Sequence, residues 1–242
     1  MAKFFCTALH GVGLVVVAAT ATCVSAEGAA GATARVASSQ RLAVLLTVHG
    51  ARSRPSLDGH LLEVVQPHRP LTGEQTVLPV IARARGPRGA PWLRVLLPGR
   101  PNGLMGWIRE AGTRSARTSW AIAVNLAQRK VLTFWRGKEV RAFSAVVGKP
   151  STPTPRGRFF VEESFPIRQG YPGSPYALAL SARSDVFQEF DGGPGQIALH
   201  GVYGIGGVPG TAVSHGCIRL DTTDMAWLGA RIHQGVPVTI FG

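Results

Sequence analysis

The most informative stretch of the chain is residues 200–220, which read HGVYGIGGVPGTAVSHGCIRL. It contains two histidines, His200 and His215, and one cysteine, Cys217. A free thiol has a pKa of about 8.5, and because the thiolate is the nucleophile, cysteine catalysis needs a nearby base or a positive field. Gly216 has no side chain and would let backbone amides approach a substrate carbonyl. The stretch therefore predicts a nucleophilic Cys217 with a histidine as its base.

Other functions compete for the same residues. His200, His215 and Cys217 are good zinc ligands, but a structural zinc site needs four ligands and no further cysteine or close histidine completes the set. Cys217 could also be a small buried residue, which is the usual fate of an isolated cysteine. The glycines between 201 and 207 resemble a phosphate-binding loop, yet Pro209 stands where its last glycine belongs. We therefore expect no metal, no cofactor and no nucleotide.

The composition limits the class of protein. The chain has 242 residues, of which 45% are hydrophobic and 16% charged, so wholesale disorder is excluded. The 26 Lys and Arg against 13 Asp and Glu give a net charge of +13, which suits an anionic partner such as nucleic acid, acidic lipid or an acidic wall polymer. Nucleic acid is disfavoured because the arginines are scattered rather than arranged in a stripe.

The N-terminus resembles an export signal. Lys3 precedes an apolar stretch, and Val24-Ser25-Ala26 supplies the small residues that signal peptidase requires, so residues 1–26 are predicted to be cleaved. An uncleaved anchor is disfavoured because the strongly apolar part is shorter than the roughly 20 residues of a spanning helix. Lipidation of Cys23 is a minor alternative. Cleavage removes Cys6 and Cys23 and predicts an exported envelope protein with one thiol and no stable membrane insertion.

The remaining chain predicts two mainly β regions. Residues 27–40 form a flexible lead, residues 41–109 a small β-module, residues 110–118 a linker and residues 119–242 a second domain. A strand, a Pro/Gly turn and Trp107 give the module a loose resemblance to the SH3-like modules of bacterial wall enzymes. Strands are predicted at Leu42–Val48, Leu61–Val65, Val77–Ala82, Trp92–Leu97, Gly106–Ile108, Trp120–Leu126, Val131–Trp135, Glu139–Val147, Phe159–Glu162, Gln196–His200 and Val236–Ile240, with an extended loop at Pro150–Gly157 and one helix at Asp221–Gln234.

Residues 119–241 closely resemble the YkuD-type L,D-transpeptidase catalytic domain. The signature is His200 followed by Ser214-His215-Gly216-Cys217-Ile218-Arg219-Leu220, and further matches are Val147-Gly148 and the segment from Thr152 to Phe159. The resemblance implies a mainly β sandwich with a short helix after the cysteine motif. It also implies an exported enzyme that cross-links peptidoglycan.

The resemblance also assigns roles. Cys217 is the nucleophile that attacks a tetrapeptide stem and forms a thioester as D-Ala leaves, and His200 is the base. His215, Gly216 and the Cys217 amide form the oxyanion and positioning segment, which Ser214 holds by hydrogen bonding. Some members have a serine after the first histidine, but this chain has Gly201, so another group must orient His200.

Substrate contacts are assigned to three further residues. Arg219 either binds a substrate carboxylate or fixes its own loop. Tyr171 and Tyr176 lie in or next to a Gly/Pro-rich stretch that the resemblance implies is a lid, although ordinary surface aromatics are the alternative. The expected partners are peptidoglycan stem peptides and carbapenem inhibitors. Alternative functions are an L,D-carboxypeptidase, a protein-to-wall anchoring enzyme and a non-catalytic wall-binding protein.

Overall fold

The structure is a computed structural model, and it describes residues 36–190 and 192–242. These residues belong to one compact unit. The predicted export signal at 1–26 and most of the predicted lead at 27–40 lie outside the described residues. The last residue of that lead, Gln40, begins the first strand.

Seven strands of the first half form one antiparallel sheet with the order β3-β2-β6-β5-β4-β1-β7. Their bounds are β1 Gln40–Leu45, β2 His49–Arg52, β3 Leu61–Val65, β4 Val77–Arg85, β5 Pro91–Leu96, β6 Met105–Arg109 and β7 Thr113–Thr118, with a short 3-10 helix at Pro87–Gly89. The SH3-like character of this part stays a prediction.

The structure corrects part of the predicted linker at residues 110–118. Residues Thr113–Thr118 form strand β7 along the edge of the first sheet. The strand pairs with β1 in an unbroken register from Gln40 opposite Thr118 to Leu45 opposite Thr113. Alternating apolar residues would have signalled a strand. An edge strand needs no apolar face, however, and the sequence here is polar. The backbone pairing, rather than burial of side chains, fixes this segment.

The second half forms an eight-stranded sheet with the order β10-β9-β8-β17-β12-β13-β14-β16, and a two-stranded parallel sheet of β11 and β15. The bounds are β8 Trp120–Asn125, β9 Lys130–Trp135, β10 Lys138–Ser144, β11 Val147–Gly148, β12 Gly157–Pro166, β13 Tyr176–Arg183, β14 Gln196–Gly201, β15 Ala212–Ser214, β16 Ile218–Leu220 and β17 Pro237–Phe241. The mainly β prediction is confirmed. Strand β13, which the sequence analysis missed, is buried along almost its whole length.

The helix α1 is shorter than predicted. It spans Thr222–Gly229 rather than Asp221–Gln234, and Asp221 caps it by accepting a hydrogen bond from the Thr223 amide at 2.9 Å. Residues 230–232 continue as a hydrogen-bonded turn, so Ile232 still reaches the core as its spacing predicted. Gly229 packs where a Cβ would overlap the Tyr176 ring. No helix among the described residues is long and apolar enough to cross a bilayer.

The two sheets share buried side chains along β12. Phe159 belongs to the core of the second sheet, whereas Phe160 belongs to the core of the first, as expected for consecutive residues on opposite faces of a strand. The register shifts after Val161, and both Glu162 and Glu163 contact the first half of the chain, where Arg69 pairs with each carboxylate. The two halves are therefore packed together rather than joined only by a linker.

Candidate active site

The register of two neighbouring strands places the predicted nucleophile and base on one face. Strands β14 and β16 are parallel, with His200 opposite Arg219. Residues opposite each other share a face of the sheet, and side chains two positions apart along a strand also share a face. Cys217 precedes Arg219 by two positions and lies immediately before β16, so continuation of the pleat directs its side chain to the face that carries His200.

This face opens into a cavity of about 430 Å³. Four of the predicted site residues line it, namely His200, His215, Cys217 and Arg219. The remaining lining residues are Ser184, Phe187, Phe190, Gly195, Gln196, Ile197, Ile205, Gly207 and Val213. The cavity is thus mostly apolar with a few convergent polar groups, which is the usual character of a small-molecule site.

A backbone carbonyl orients His200. Its Nδ1 lies 2.9 Å from the carbonyl oxygen of Gly201, and because a carbonyl only accepts hydrogen bonds, Nδ1 carries the proton. The Nε2 atom is then an acceptor, as a general base requires. The Gly201 carbonyl is therefore the orienting group that the sequence left open.

The backbone around Gly201 leaves no room for a side chain. A Cβ built on Gly201 would overlap the carbonyl oxygen of Ser174. The overlap is with backbone and not with a flexible side chain, so no rotamer relieves it. The Gly201 amide donates to the Gly173 carbonyl at 2.9 Å, which holds the two segments at this close approach.

Burial keeps His200 neutral. Loss of hydration disfavours the imidazolium and lowers the pKa of His200, and the positive charge of Arg219 lowers the pKa further, against the opposing effect of the Gly201 hydrogen bond. A histidine with a lowered pKa is unprotonated at neutral pH and free to accept a proton.

Burial acts on Cys217 in the opposite direction. Loss of hydration raises the pKa of the Cys217 thiol, while a backbone hydrogen bond from Ala198 and the charge of Arg219 lower it in part. The Cys217 thiol and the His200 imidazole that line the cavity are therefore both uncharged at neutral pH. Cys217 is a free thiol.

The turn that presents Cys217 is held by Ser214. The hydroxyl of this fully buried serine donates to the Cys217 carbonyl at 2.6 Å and accepts from the Gly216 amide at 3.1 Å. Gly216 has a φ of 119°, in a region that L side chains rarely adopt, so the turn requires glycine there. Because the Gly216 amide is already bonded to Ser214, it is not a free oxyanion donor.

Two threonines that the sequence analysis gave no role also fix this turn. Thr152 donates its hydroxyl to the Ser214 carbonyl at 3.1 Å, and Thr154 donates to the Gly216 carbonyl at 2.8 Å. Both are buried, and the Thr154 oxygen also accepts from the Gly148 amide at 2.9 Å. Their alternation with Pro153 and Pro155 predicted an extended loop, but only the tertiary structure shows what the hydroxyls bind.

Arg219 is buried and bridges the cavity and its rim. Its Nη1 donates to the Gly206 carbonyl at 3.1 Å and lies 3.5 Å from the Ile205 carbonyl oxygen. Its Nε is buried without a hydrogen-bond partner within the described residues. Through Nη1, Arg219 therefore holds the segment at Ile205 and Gly206, and its role in binding a substrate carboxylate stays a prediction.

The two tyrosines lie away from the cavity. Tyr176 begins β13 and packs against Gly229 of α1 and the core of the second sheet. Tyr171 is 54% exposed, and its segment lies behind His200, where the Gly173 amide donates to the Tyr203 carbonyl at 2.7 Å. Neither tyrosine is among the residues that line the cavity.

Two aromatic residues outside the predicted site stand in the cavity wall instead. The rings of Phe187 and Phe190 each lie 6.0 Å from the exposed ring of His215, and 5.5 Å from each other. They lie in a polar, glycine-rich stretch with no periodicity, so the sequence carried no signal for them beyond their aromatic character. No group of three His, Cys, Asp or Glu side chains in 36–190 and 192–242 is arranged to hold a metal.

Comparison with known families shows which family the chain belongs to. The family model described as the L,D-transpeptidase catalytic domain, YkuD, matches residues 119–240, which is half of the chain. The chain belongs to this family. The match begins at strand β8 and ends in β17, so it contains every residue of the cavity face described above.

Relatives of known sequence give the same family. The YkuD protein of Bacillus licheniformis is 32% identical over 124 residues, which cover 50% of this chain and 65% of that protein. The YkuD protein of Bacillus subtilis strain 168 is 30% identical over 122 residues, 49% of this chain and 64% of that protein. The chain thus spans just under two thirds of each relative.

Among solved structures, the NMR structure of the catalytic domain of an E. faecium L,D-transpeptidase acylated by ertapenem is similar to this chain. It has a TM-score of 0.39 and 22% sequence identity, and the alignment covers 50% of this chain and 96% of that domain.

Proposed function

We propose that this protein is an exported cysteine L,D-transpeptidase that acts on the tetrapeptide stems of peptidoglycan at the cell envelope. The observation that carries the proposal is the orientation of His200, whose Nδ1 donates to the Gly201 carbonyl and whose Nε2 is free to accept a proton in the cavity that holds the Cys217 thiol. Membership of the L,D-transpeptidase family supplies the substrate class.

The first step forms the acyl-enzyme. His200 Nε2 takes the proton from Cys217 Sγ, and the sulfur attacks the carbonyl carbon of the L-centre that precedes the terminal D-Ala. The resulting C–N bond cleavage releases D-Ala, whose amine leaves with the proton held by His200. The product is a thioester on Cys217.

The second step transfers the acyl group. An amine of a neighbouring stem loses a proton to His200 and attacks the thioester carbonyl, and the C–S bond breaks as the sulfur recovers a proton. The new amide is a 3–3 cross-link. Water in place of the amine would give L,D-carboxypeptidase activity, and an amine on a protein would give wall anchoring, through the same acyl-enzyme.

Neutral partners suit this chemistry. A neutral imidazole beside a neutral thiol stores no buried charge before substrate arrives, and burying an unpaired charge is costly. The Ala198 amide and the Arg219 charge both favour the thiolate once it forms. We assign the developing oxyanion to the Cys217 amide, because the Gly216 amide is occupied by the Ser214 hydroxyl.

Export is part of the proposal because the substrate lies outside the membrane. The predicted cleavage after Ala26 would release a protein from residue 27 onward, with Cys217 as its single thiol. The net charge of +13, of which cleavage removes only Lys3, favours approach to an anionic wall.

The test is intact-mass analysis of the protein from residue 27 to residue 242 with ertapenem, the compound that acylates the E. faecium domain. We expect one adduct with the mass of the intact drug, because opening of the lactam ring expels no leaving group. Cys217→Ala should give none, and His200→Ala should react about 100-fold more slowly. A folded wild type without an adduct would favour the wall-binding alternative.

A positive result leads directly to substrate. Incubation with a disaccharide-tetrapeptide should release free D-Ala and give a cross-linked dimer. Release of D-Ala without dimer would assign the protein as a carboxypeptidase instead.

A further inference from the structure

We propose that Arg100 and Asn102, on the turn between β5 and β6 of the first sheet, are positioning residues that hold one wall of the active-site cavity in place. The wall is residues 184–190, here called the cavity-wall loop, which lies in the second half of the chain. This inference rests on the proposed function, because it assigns the first sheet a part in substrate binding at the Cys217 site.

Arg100 bonds to the first residue and the middle of the cavity-wall loop, and to Pro194 beyond it. Its Nη2 donates to the carbonyl oxygens of Ser184 and Phe187, each at 2.8 Å, and its Nη1 donates to the Pro194 carbonyl at 2.9 Å. The planar guanidinium has five donors in a fixed fork, which suits three convergent carbonyls. A lysine ammonium lacks this fixed geometry.

Asn102 holds the same region through the end of β13. Its Oδ1 accepts from the Arg183 amide at 2.8 Å and its Nδ2 donates to the Arg183 carbonyl at 2.8 Å, so the side-chain amide pairs with the backbone as a neighbouring strand would. The Nδ2 atom also lies 3.2 Å from Asp185 Oδ1. The cavity-wall loop is thus fixed where it leaves the strand.

The loop has few contacts of its own that would hold it. Within it, the Ser184 hydroxyl accepts from the amides of Val186 and Phe187 at 3.2 and 3.0 Å, while Val186 and Phe190 are about half exposed. Segments with little buried apolar surface open at low free energy. Backbone hydrogen bonds join Ser184 to Gly195 and Phe190 to Gly193. The hydrogen bonds from Arg100 and Asn102 are the support that the first sheet adds.

The loop carries cavity residues, and the catalytic pair lies elsewhere. Ser184, Phe187 and Phe190 line the cavity, and both phenylalanine rings contact His215. Cys217 and His200 are held by β14, β16 and the Ser214 turn, whereas the hydrogen bonds of Arg100 go to Ser184, Phe187 and Pro194. Loss of the support should therefore weaken substrate binding far more than it slows the chemical step.

The experiment compares Arg100→Ala, Arg100→Lys and Asn102→Ala with Arg94→Ala, using the protein from residue 27 to residue 242, which includes the whole compact unit. Arg94 lies exposed on β5 of the same sheet, so its variant removes the same charge without touching the loop. Hydrogen exchange reports on residues 184–190, and the ertapenem concentration dependence separates half-saturation from the maximal acylation rate.

We expect Arg100→Ala and Asn102→Ala to accelerate exchange in residues 184–190 and to raise the half-saturating ertapenem concentration by about tenfold, with the maximal rate within about threefold of wild type. Arg100→Lys should recover only part of the loss. Arg94→Ala should match wild type in both measurements.

Three results would overturn the inference. They are unchanged exchange in residues 184–190, an unchanged half-saturation in both alanine variants, or loss of the cooperative unfolding transition in both, which would make their role global. A wild type that is not acylated would instead contradict the proposed function, while hydrogen exchange would still decide whether Arg100 and Asn102 hold the loop.

Discussion

The Thr154 hydroxyl donates a hydrogen bond of 2.8 Å to the carbonyl oxygen of Gly216, the residue before the cysteine. The same hydroxyl oxygen accepts from the Gly148 amide at 2.9 Å, so one buried atom connects the loop of prolines to the turn that presents the nucleophile. Such a group is costly to remove, because two buried backbone partners lose their bonds together.

Thr154→Val should therefore destabilise the protein by about 1–3 kcal/mol and slow acylation of Cys217. Valine has nearly the same shape but leaves the Gly216 carbonyl and the Gly148 amide unpaired. Thr154→Ser, which keeps the hydroxyl, is the matched control and should retain most of the acylation rate. Urea unfolding and intact-mass kinetics measure the two effects, and equal behaviour of the valine and serine variants would contradict the assignment.

Gly201→Ala and Gly201→Ser should both destabilise the protein by a similar amount, several degrees in Tm, because the overlap with the Ser174 carbonyl arises at Cβ. A Cβ at Gly193 meets only ordinary contacts, so Gly193→Ala is a control for the loss of glycine flexibility. Thermal unfolding followed by circular dichroism gives the comparison. Variants as stable as wild type would show that the backbone at this position accepts a side chain.

The rate of acylation should depend on pH through His200. The lowered pKa of His200 means that the base is already unprotonated at neutral pH, so the acid limb of the profile should lie below about 6.5, the ordinary value for histidine. His200→Ala should lose this limb, and its slower rate should instead rise with pH as the Cys217 thiol, whose pKa is raised, ionises. An acid limb that survives in His200→Ala would assign the base to another group.

Arg219→Gln should raise the pKa of both catalytic groups. The Arg219 charge lowers the pKa of His200 and of Cys217, so its removal should shift the acid limb to higher pH and slow acylation by about tenfold at neutral pH. Arg219→Lys keeps the charge and should keep the acid limb near its wild-type position. It should lose the hydrogen bonds to the Ile205 and Gly206 carbonyls. Arg158→Gln removes an exposed arginine and serves as the charge control.

Phe160→Ala should cost about 3–5 kcal/mol, because it opens a cavity in the core that the two sheets share. Phe241→Ala, at an exposed phenylalanine on β17, should change stability little. Urea unfolding followed by tryptophan fluorescence and by circular dichroism should give one coincident transition in the wild type. Two separate transitions would mean that the sheets unfold independently.

Four residues that the sequence singled out line one cavity, whereas the other residues of its wall were not predicted. The Cys217 motif and the Asp221 cap could be read from the sequence, because both depend on residues close together in the chain. The orienting carbonyl of Gly201 could be suspected but not named, since it depends on the ring geometry of His200. Phe187, Phe190, Arg100 and Asn102 were out of reach, because their roles arise from contacts between segments far apart in sequence.

The fold shows the same division. Strands with apolar runs were predicted within a few residues, whereas polar β7 was predicted as a linker and the buried β13 was missed. Edge pairing and central burial both depend on which strands become neighbours, and that is decided by topology rather than by local periodicity.

The position of Phe160 has a practical meaning for anyone who would work with the matched half of the chain. The family likeness begins at residue 119, yet this ring is covered by side chains that precede that residue, among them Leu45, Leu78 and Ile108. An expressed fragment that starts at the edge of the likeness would expose an aromatic surface to water and invite aggregation. We therefore expect the shortest stable fragment to begin well before residue 119.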